Sequence, residues 1–172
     1  MTAVRRLSLV DTDEATPPSR PSGAVRVAIA TRDMKSLNAH FGSTPRFAVY
    51  DVSPAGWTFV EALAFDELAD ETGAHKTDGD DRIGPKVEAL AGCHLLFCLA
   101  IGGPSAARVV AARIHPIKVP AEAAIDDAAS LCRRALSATS SEALNSRSAA
   151  EATCSALPTM VRIIVRSVSC MA

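Results

Sequence analysis

The sequence predicts an α/β domain built on a mixed five-stranded sheet, and three observations carry that prediction. Three apolar runs of strand length, VRVAIAT (25–31), RFAVYDV (46–52) and WTFVEALAF (57–65), come first and lie close together. Two more, CHLLFCLA (93–100) and IHPIKVP (114–120), follow later. Each of these later runs is preceded by a helical pattern, which is the arrangement that joins parallel strands by crossover helices. The element order is therefore βββαβαβα, a meander continued by parallel strands.

VRVAIAT is β-branched and almost wholly apolar, as a central strand buried on both faces should be. RFAVYDV and WTFVEALAF are joined by SPAG, whose proline and glycine suit a tight turn, so the first three runs form an antiparallel meander. DELADETGAHKTDGDD (66–81) is a polar loop, expected to be mobile from its composition. In RIGPKVEALAG (82–92), Ile83, Val87 and Leu90 share one helical face and Gly92 supplies the stop. GGPSAARVVAARI opens a second helix, with glycines ahead of it and Pro104 in its first turn. The proline inside IHPIKVP favours an edge position for that strand. AIDDAASLCRRAL (124–136) closes the domain as an amphipathic helix.

Composition divides the chain into three zones. Residues 1–23 end in DEATPPSRPSG and read as a flexible N-terminal segment. Residues 24–136 hold the periodic elements and form the domain. Residues 137–172, rich in serine and alanine, read as a disordered tail ending in the basic, β-branched run VRIIVRSV, which could also add as an edge strand. At 172 residues there is room for one ordinary domain with tails. Hydrophobic residues make up 48%, enough for a core, but only 4% are aromatic, so that core should be lean. A net charge of -1 gives no reason to expect nucleic acid or an anionic membrane as partner. No apolar run approaches the ~18 residues of a membrane span, and the N-terminus lacks a signal-peptide core. Five irregularly spaced cysteines without an export signal point to reduced thiols in the cytoplasm.

Mixed sheets of this order occur in ribonuclease-H-like nucleases, which gather several carboxylates around magnesium. VRVAIAT holds no acid, and Asp33 and Asp51 stand as isolated candidates beyond strand ends, so a metal-dependent nuclease is disfavoured. No phosphate-binding G-x-x-x-x-G-K-[ST] loop and no G-x-S-x-G nucleophile elbow is present. Cys93 and Cys98 are separated by four residues on one predicted strand and so point to opposite faces, which is wrong for a shared zinc site. More promising are the loops at the carboxyl ends of the parallel strands, where ligands collect in α/β sheets. TRDMKSLNAHFGS follows the first strand and GGPS follows the fourth, so His40 and the N–H groups around Gly102 and Gly103 could face one shallow anion-binding site near Cys98. Arg32, Lys35 and Arg46 would add positive charge there. His40 has a plain alternative as a hydrogen-bonded loop histidine, and GGPS one as a simple turn. His75, His94 and His115 have no partner at metal-ligand spacing. A centre held by one or two labile ligands, and then released, suits that ligand set better than a permanent metalloenzyme does.

Several stretches together resemble the nitrogenase iron–molybdenum cofactor carrier and biosynthesis family. VRVAIATRDMKSLNAHFGSTPRFAVYDV is similar to the family's opening segment, and DDRIGPKVEALAGCHLLFC to its loop, helix and G-C-x-x-x-x-C strand. GGPSAARVVAARIHPIKVP is similar to its glycine turn, helix and Q-P-I-K-V strand, with His115 where the family has glutamine. The resemblance covers about residues 25–136 and implies a ribonuclease-H-like fold without the nuclease acids. It implies a non-enzymatic protein that binds an iron–sulfur precursor of the iron–molybdenum cofactor, or the cofactor, as transient cargo. The partners implied are assembly proteins: a scaffold and the protein that synthesises the cluster. The HFG histidine, His40 here, is the implied cluster ligand. An anionic cluster saturated with sulfide needs only a terminal imidazole or thiolate, with N–H and cationic groups around it. The expected site is His40, Phe41, Gly42, Arg46, Gly102, Gly103 and Ser105, with His40 and Cys98 as metal ligands. A competing expectation is a chaperone that recognises apo-nitrogenase or a scaffold without touching the cluster. The 66–81 loop is longer than the family pattern and carries the additional His75.

Overall fold

The computed structural model describes residues 4–7, 23–65 and 82–145, with backbone only for 138–145. Its centre is β2 (Val25–Thr31), which pairs antiparallel with β4 (Arg46–Ser53) and parallel with β6 (Leu95–Cys98). On one side β5 (Gly56–Ala64) continues the meander antiparallel to β4; on the other, β7 (His115–Lys118) lies parallel to β6. SPAG makes the tight turn between β4 and β5, and Val49/Tyr50 marks a bulge in their register. Pro116 sits on β7 at the outer edge, where a missing N–H leaves no neighbouring strand unpaired.

The two faces of β2 seed two cores. Val25, Val27 and Ile29 point to one side, where they pack with Leu95, Phe97 and the apolar face of α3 (Ile125–Asn145). Ala28 and Ala30 point to the other, with Phe41, Phe47, Leu63, Leu96 and Cys98. That second face is covered by α1 (Ile83–Ala89) and α2 (Gly103–Ala111), through Ala89 and Val109. The sheet is thus sandwiched between α3 and the α1–α2 pair, as a strand without a polar face requires. Gly92, at φ +87°, occupies the left-handed region after α1 and lets the chain turn back into β6.

Four expectations need correction. Among the described residues the sheet has six strands, because β1 (Arg5–Leu7) pairs antiparallel with the edge of β5. A three-residue strand has no period of its own and is specified by the edge it joins, with Arg6 and Glu61 3.4 Å apart across that pair. Residues 1–3 and 8–22 of that segment lie outside the described residues, as do the 66–81 loop and the tail beyond 145. α3 runs nine residues past the predicted boundary at 136, since SATSSEALN contains no breaker. Ser36–Leu37 (β3) and Ala123–Ala124 (β8) form a separate two-stranded ladder, too short to read from sequence. Finally, Cys93 and Cys98 both face the α1–α2 side: β6 begins only at Leu95, and Cys93 lies in the preceding turn, its N–H bonded to the carbonyl of Leu90.

Candidate functional site

The chain leaving β2 is fixed by short polar contacts before it reaches His40. The Asp33 carboxylate accepts the N–H groups of Lys35 at 2.9 Å and Ser36 at 2.8 Å, and the Thr31 hydroxyl lies 3.2 Å away. The Lys35 and Ser36 N–H groups hold its acidity above that of an ordinary aspartate. Asn38 then accepts the Arg32 N–H at 2.8 Å. Ile125 donates its N–H to the Lys35 carbonyl at 3.0 Å, tying this loop to the start of α3.

Residues 39–41 lie against the chain just beyond β6. Leu99 donates to the Ala39 carbonyl at 3.0 Å, and Phe41 donates to the Ala100 carbonyl at 2.9 Å. Ala39 and Phe41 are fully buried, and alternation along this extended stretch turns His40 outward, where it is exposed. Its imidazole has no hydrogen-bond partner among the described residues. A turn then closes from the Thr44 N–H to the His40 carbonyl at 2.9 Å. Phe41 packs against Phe47 with ring centroids 5.8 Å apart, and Phe47 meets Phe65 edge-on at 5.7 Å. The phenyl ring of the HFG triplet is therefore the anchor of this loop, which corrects its expected place in the cargo-binding surface.

Beneath the turn lies a group the sequence reading missed. Lys86 of α1 is fully buried, and its ammonium donates to the carbonyls of Gly42 at 2.6 Å, Thr44 at 2.9 Å and Phe41 at 3.4 Å. The Phe65 ring lies 5.8 Å from the same nitrogen. Burial, with a smaller contribution from the Arg82 charge, pushes the Lys86 ammonium down to about 8. The signal was present: Lys86 falls three residues after Ile83 and four before Leu90, on the inward face of α1. A lysine there reads as surface, and only the three carbonyls explain it.

The second loop follows directly. Beyond Ala100, Gly102 is extended (φ −71°, ψ 153°) and α2 begins at Gly103, with Ala106 donating to the Gly102 carbonyl at 2.8 Å. Among the described residues, no side chain caps this helix start. Gly102 and Gly103 are exposed, and a Cβ at either would meet nothing within 4 Å. Neither crowding nor a left-handed backbone calls for glycine at Gly102, so its bare backbone has no internal explanation. Ser105 is half-buried in the first turn. The hydrogen bonds between 39–41 and 99–100 thus tie the His40 loop to the chain that leads into the GG turn, at the carboxyl ends of β2 and β6. Arg46, exposed at the start of β4, reaches back to the Arg32 carbonyl at 3.0 Å and adds charge at the same end of the sheet.

Cys98 is not brought to that surface. It is fully buried below the His40 loop, and burial pushes its thiol up to about 11 against a smaller opposing effect of Lys118. A buried neutral thiol is a poor ligand for an external centre, so the expected ligand pair reduces to His40. Asp51 lies within β4, where it binds the Arg26 guanidinium through two contacts of 2.9 and 2.8 Å. His94 accepts the Arg26 N–H through Nδ1 at 3.0 Å, and donates its own N–H to the Arg26 carbonyl. With His115, it lies at the start of the parallel strands, opposite to His40. Among the described residues, no three His, Cys, Asp or Glu side chains converge as a metal site. His75 lies outside them.

The dinitrogenase iron–molybdenum cofactor family matches residues 23–134, from the start of β2 into α3. The chain belongs to this family. It is similar to the NifX protein of Sinorhizobium fredii strain NGR234, at 65% identity over 136 residues, covering 79% of this chain and 83% of the relative. It is 51% identical to NifX of Rhodobacter capsulatus over 114 residues, 66% of this chain and 69% of that protein. A FeMo cofactor biosynthesis protein, NifB of Frankia alni, matches at 31% over 107 residues, 61% of this chain but 20% of its own length. The span that matches the cofactor family contains the His40 loop, Lys86 and the GG turn, whereas β1 lies outside it.

Proposed function

We propose that this protein acts in assembly of the nitrogenase iron–molybdenum cofactor by carrying an iron–sulfur precursor, or the cofactor, between assembly proteins in the cytoplasm. The observation that carries the reading is the placement of His40. Two backbone hydrogen bonds and two buried neighbours turn His40 outward, and the same bonds tie its loop to the chain that leads into α2, whose glycines leave the backbone open. An imidazole supplies one terminal ligand to iron. The N–H groups entering α2 and the guanidinium of Arg46 suit the sulfide-rich, anionic remainder. A single protein ligand keeps dissociation fast, as transfer to an acceptor requires.

No catalytic step belongs to this reading. Asp33 follows the carboxyl end of β2 and Asp51 pairs with Arg26 near its start, so the two acids lie at opposite ends of the sheet and do not converge on one magnesium site. The order β5-β4-β2-β6-β7 of the central strands supports a ribonuclease-H-like assignment of the fold. The partners are the scaffold and the protein that synthesises the cluster. The test is anaerobic addition of isolated cofactor precursor, with iron measured after gel filtration. The reading expects stoichiometric iron on the parent protein and little on His40→Ala. A folded parent that retains no iron, yet binds apo-nitrogenase or a scaffold, would instead favour a chaperone that recognises proteins alone.

A further inference from the structure

We infer that Lys86 is the positioning residue of the cargo loop, its ammonium drawing the Phe41, Gly42 and Thr44 carbonyls inward so that the His40 imidazole is presented outward. This rests on the carrier reading for what the loop binds, but the grip itself is a property of this chain. Lys86 touches no cargo; it acts through the backbone on either side of Gly42.

Three features separate it from an ordinary structural lysine. Lys86 is fully buried without an ion-pair partner among the described residues, and burial of a charge is costly unless something compensates it. All three of its donors go to one short segment, at 2.6, 2.9 and 3.4 Å, and that segment contains or adjoins the expected ligand. An apolar residue of similar length would fill the space at less electrostatic cost, so the charge is placed here for its hydrogen bonds. Only the protonated amine can donate to all three carbonyls at once.

The grip therefore depends on protonation. From α1 the charged neighbour is Arg82, which disfavours the ammonium. From the end of β5 the neighbour is the Phe65 ring, and from the loop it is the three carbonyls, which favour the charge. When Lys86 loses its proton, at least one carbonyl is left facing a lone pair. The turn can then swing away from α1, and His40 loses its fixed direction.

The experiment is a pH series on the full chain, following carbonyl 13C shifts of Phe41, Gly42 and Thr44 together with the 13Cε shift of Lys86. Iron retained from isolated cofactor precursor is measured under anaerobic conditions on the parent, Lys86→Met and His40→Ala. We expect the three carbonyls and Lys86 to titrate together in the parent, below the ordinary lysine range. Iron affinity should fall by at least about tenfold across that transition, and Lys86→Met should be weak at every pH while remaining folded. Carbonyl shifts that ignore the Lys86 titration would overturn the inference, even if Lys86→Met failed to fold. Parent-like iron affinity in folded Lys86→Met would overturn it too. If the parent retains no iron, the carrier reading falls, and the carbonyl titration still decides whether Lys86 holds the loop.

Discussion

Replacing Phe41 with alanine separates an anchor from a cargo contact. The ring is fully buried and packs against Phe47, which β4 holds in place, while Phe65 is fixed by its N–H bond to the Pro45 carbonyl at 2.8 Å. Those neighbours cannot collapse far into a void, so Phe41→Ala should cost about 3–4 kcal/mol, including ~1 kcal/mol for the lost aromatic pair. For a domain of this size that corresponds to a fall in Tm of roughly 12–16 °C. Phe41→Leu keeps most of the volume and should cost about 1–1.5 kcal/mol. Urea unfolding followed by far-UV circular dichroism measures both, with an unchanged slope showing that the unfolded state is comparable. A loss below ~1 kcal/mol in Phe41→Ala, accompanied by loss of iron retention, would refute the anchoring argument and return Phe41 to the cargo surface.

Lys86 should leave its mark on stability as well. The folded state releases this proton near pH 8 while the unfolded chain keeps it to the ordinary 10.5. Stability relative to Lys86→Met should therefore be flat below pH 8, rise through the window from 8 to 10.5, and gain about 3 kcal/mol in all; paired urea titrations at pH 7, 9 and 11 check it. Cys98, with its thiol near 11, should be on the order of 0.1% thiolate at pH 8 and resist iodoacetamide until urea unfolds the protein, as mass spectrometry would reveal. Cys98→Ala should then retain as much iron as the parent. Asp51→Asn strips the charge from the contact with Arg26 and should lower stability by about 1.5–3 kcal/mol, with iron retention unchanged because the pair lies at the far end of the sheet.

What was legible in the sequence was whatever local chemistry decides. The β2 run, the SPAG turn, the Gly92 stop and the Pro104 start each specify their geometry within a few residues, and Pro116 marked β7 as an edge. The HFG and GGPS loops were legible as a pair because both follow parallel strands. What escaped was decided by distant parts of the chain. β1 exists because it meets the edge of β5, and β3 and β8 exist because each meets the other. Lys86 is inward because three carbonyls, more than forty residues away in sequence, converge on it. Cys98 escaped for a related reason: both faces of β6 are covered, by α3 on one side and by α1 and α2 on the other, and only the packed layers show that neither direction reaches the surface. In sequence Phe41 and its neighbours form one motif, whereas alternation splits the triplet into a buried ring and an outward imidazole.

The carrier proposal rests on a single imidazole, that of His40, binding the cargo iron. Protein labelled with 15N only in histidine side chains, loaded anaerobically with cofactor precursor and poised in a paramagnetic state, would test it through the hyperfine coupling of nitrogen to the cluster. Coupling to one imidazole nitrogen is expected, absent in His40→Ala and retained in His94→Ala and His115→Ala. Loaded iron with no histidine coupling, or coupling that survives in His40→Ala, would contradict it.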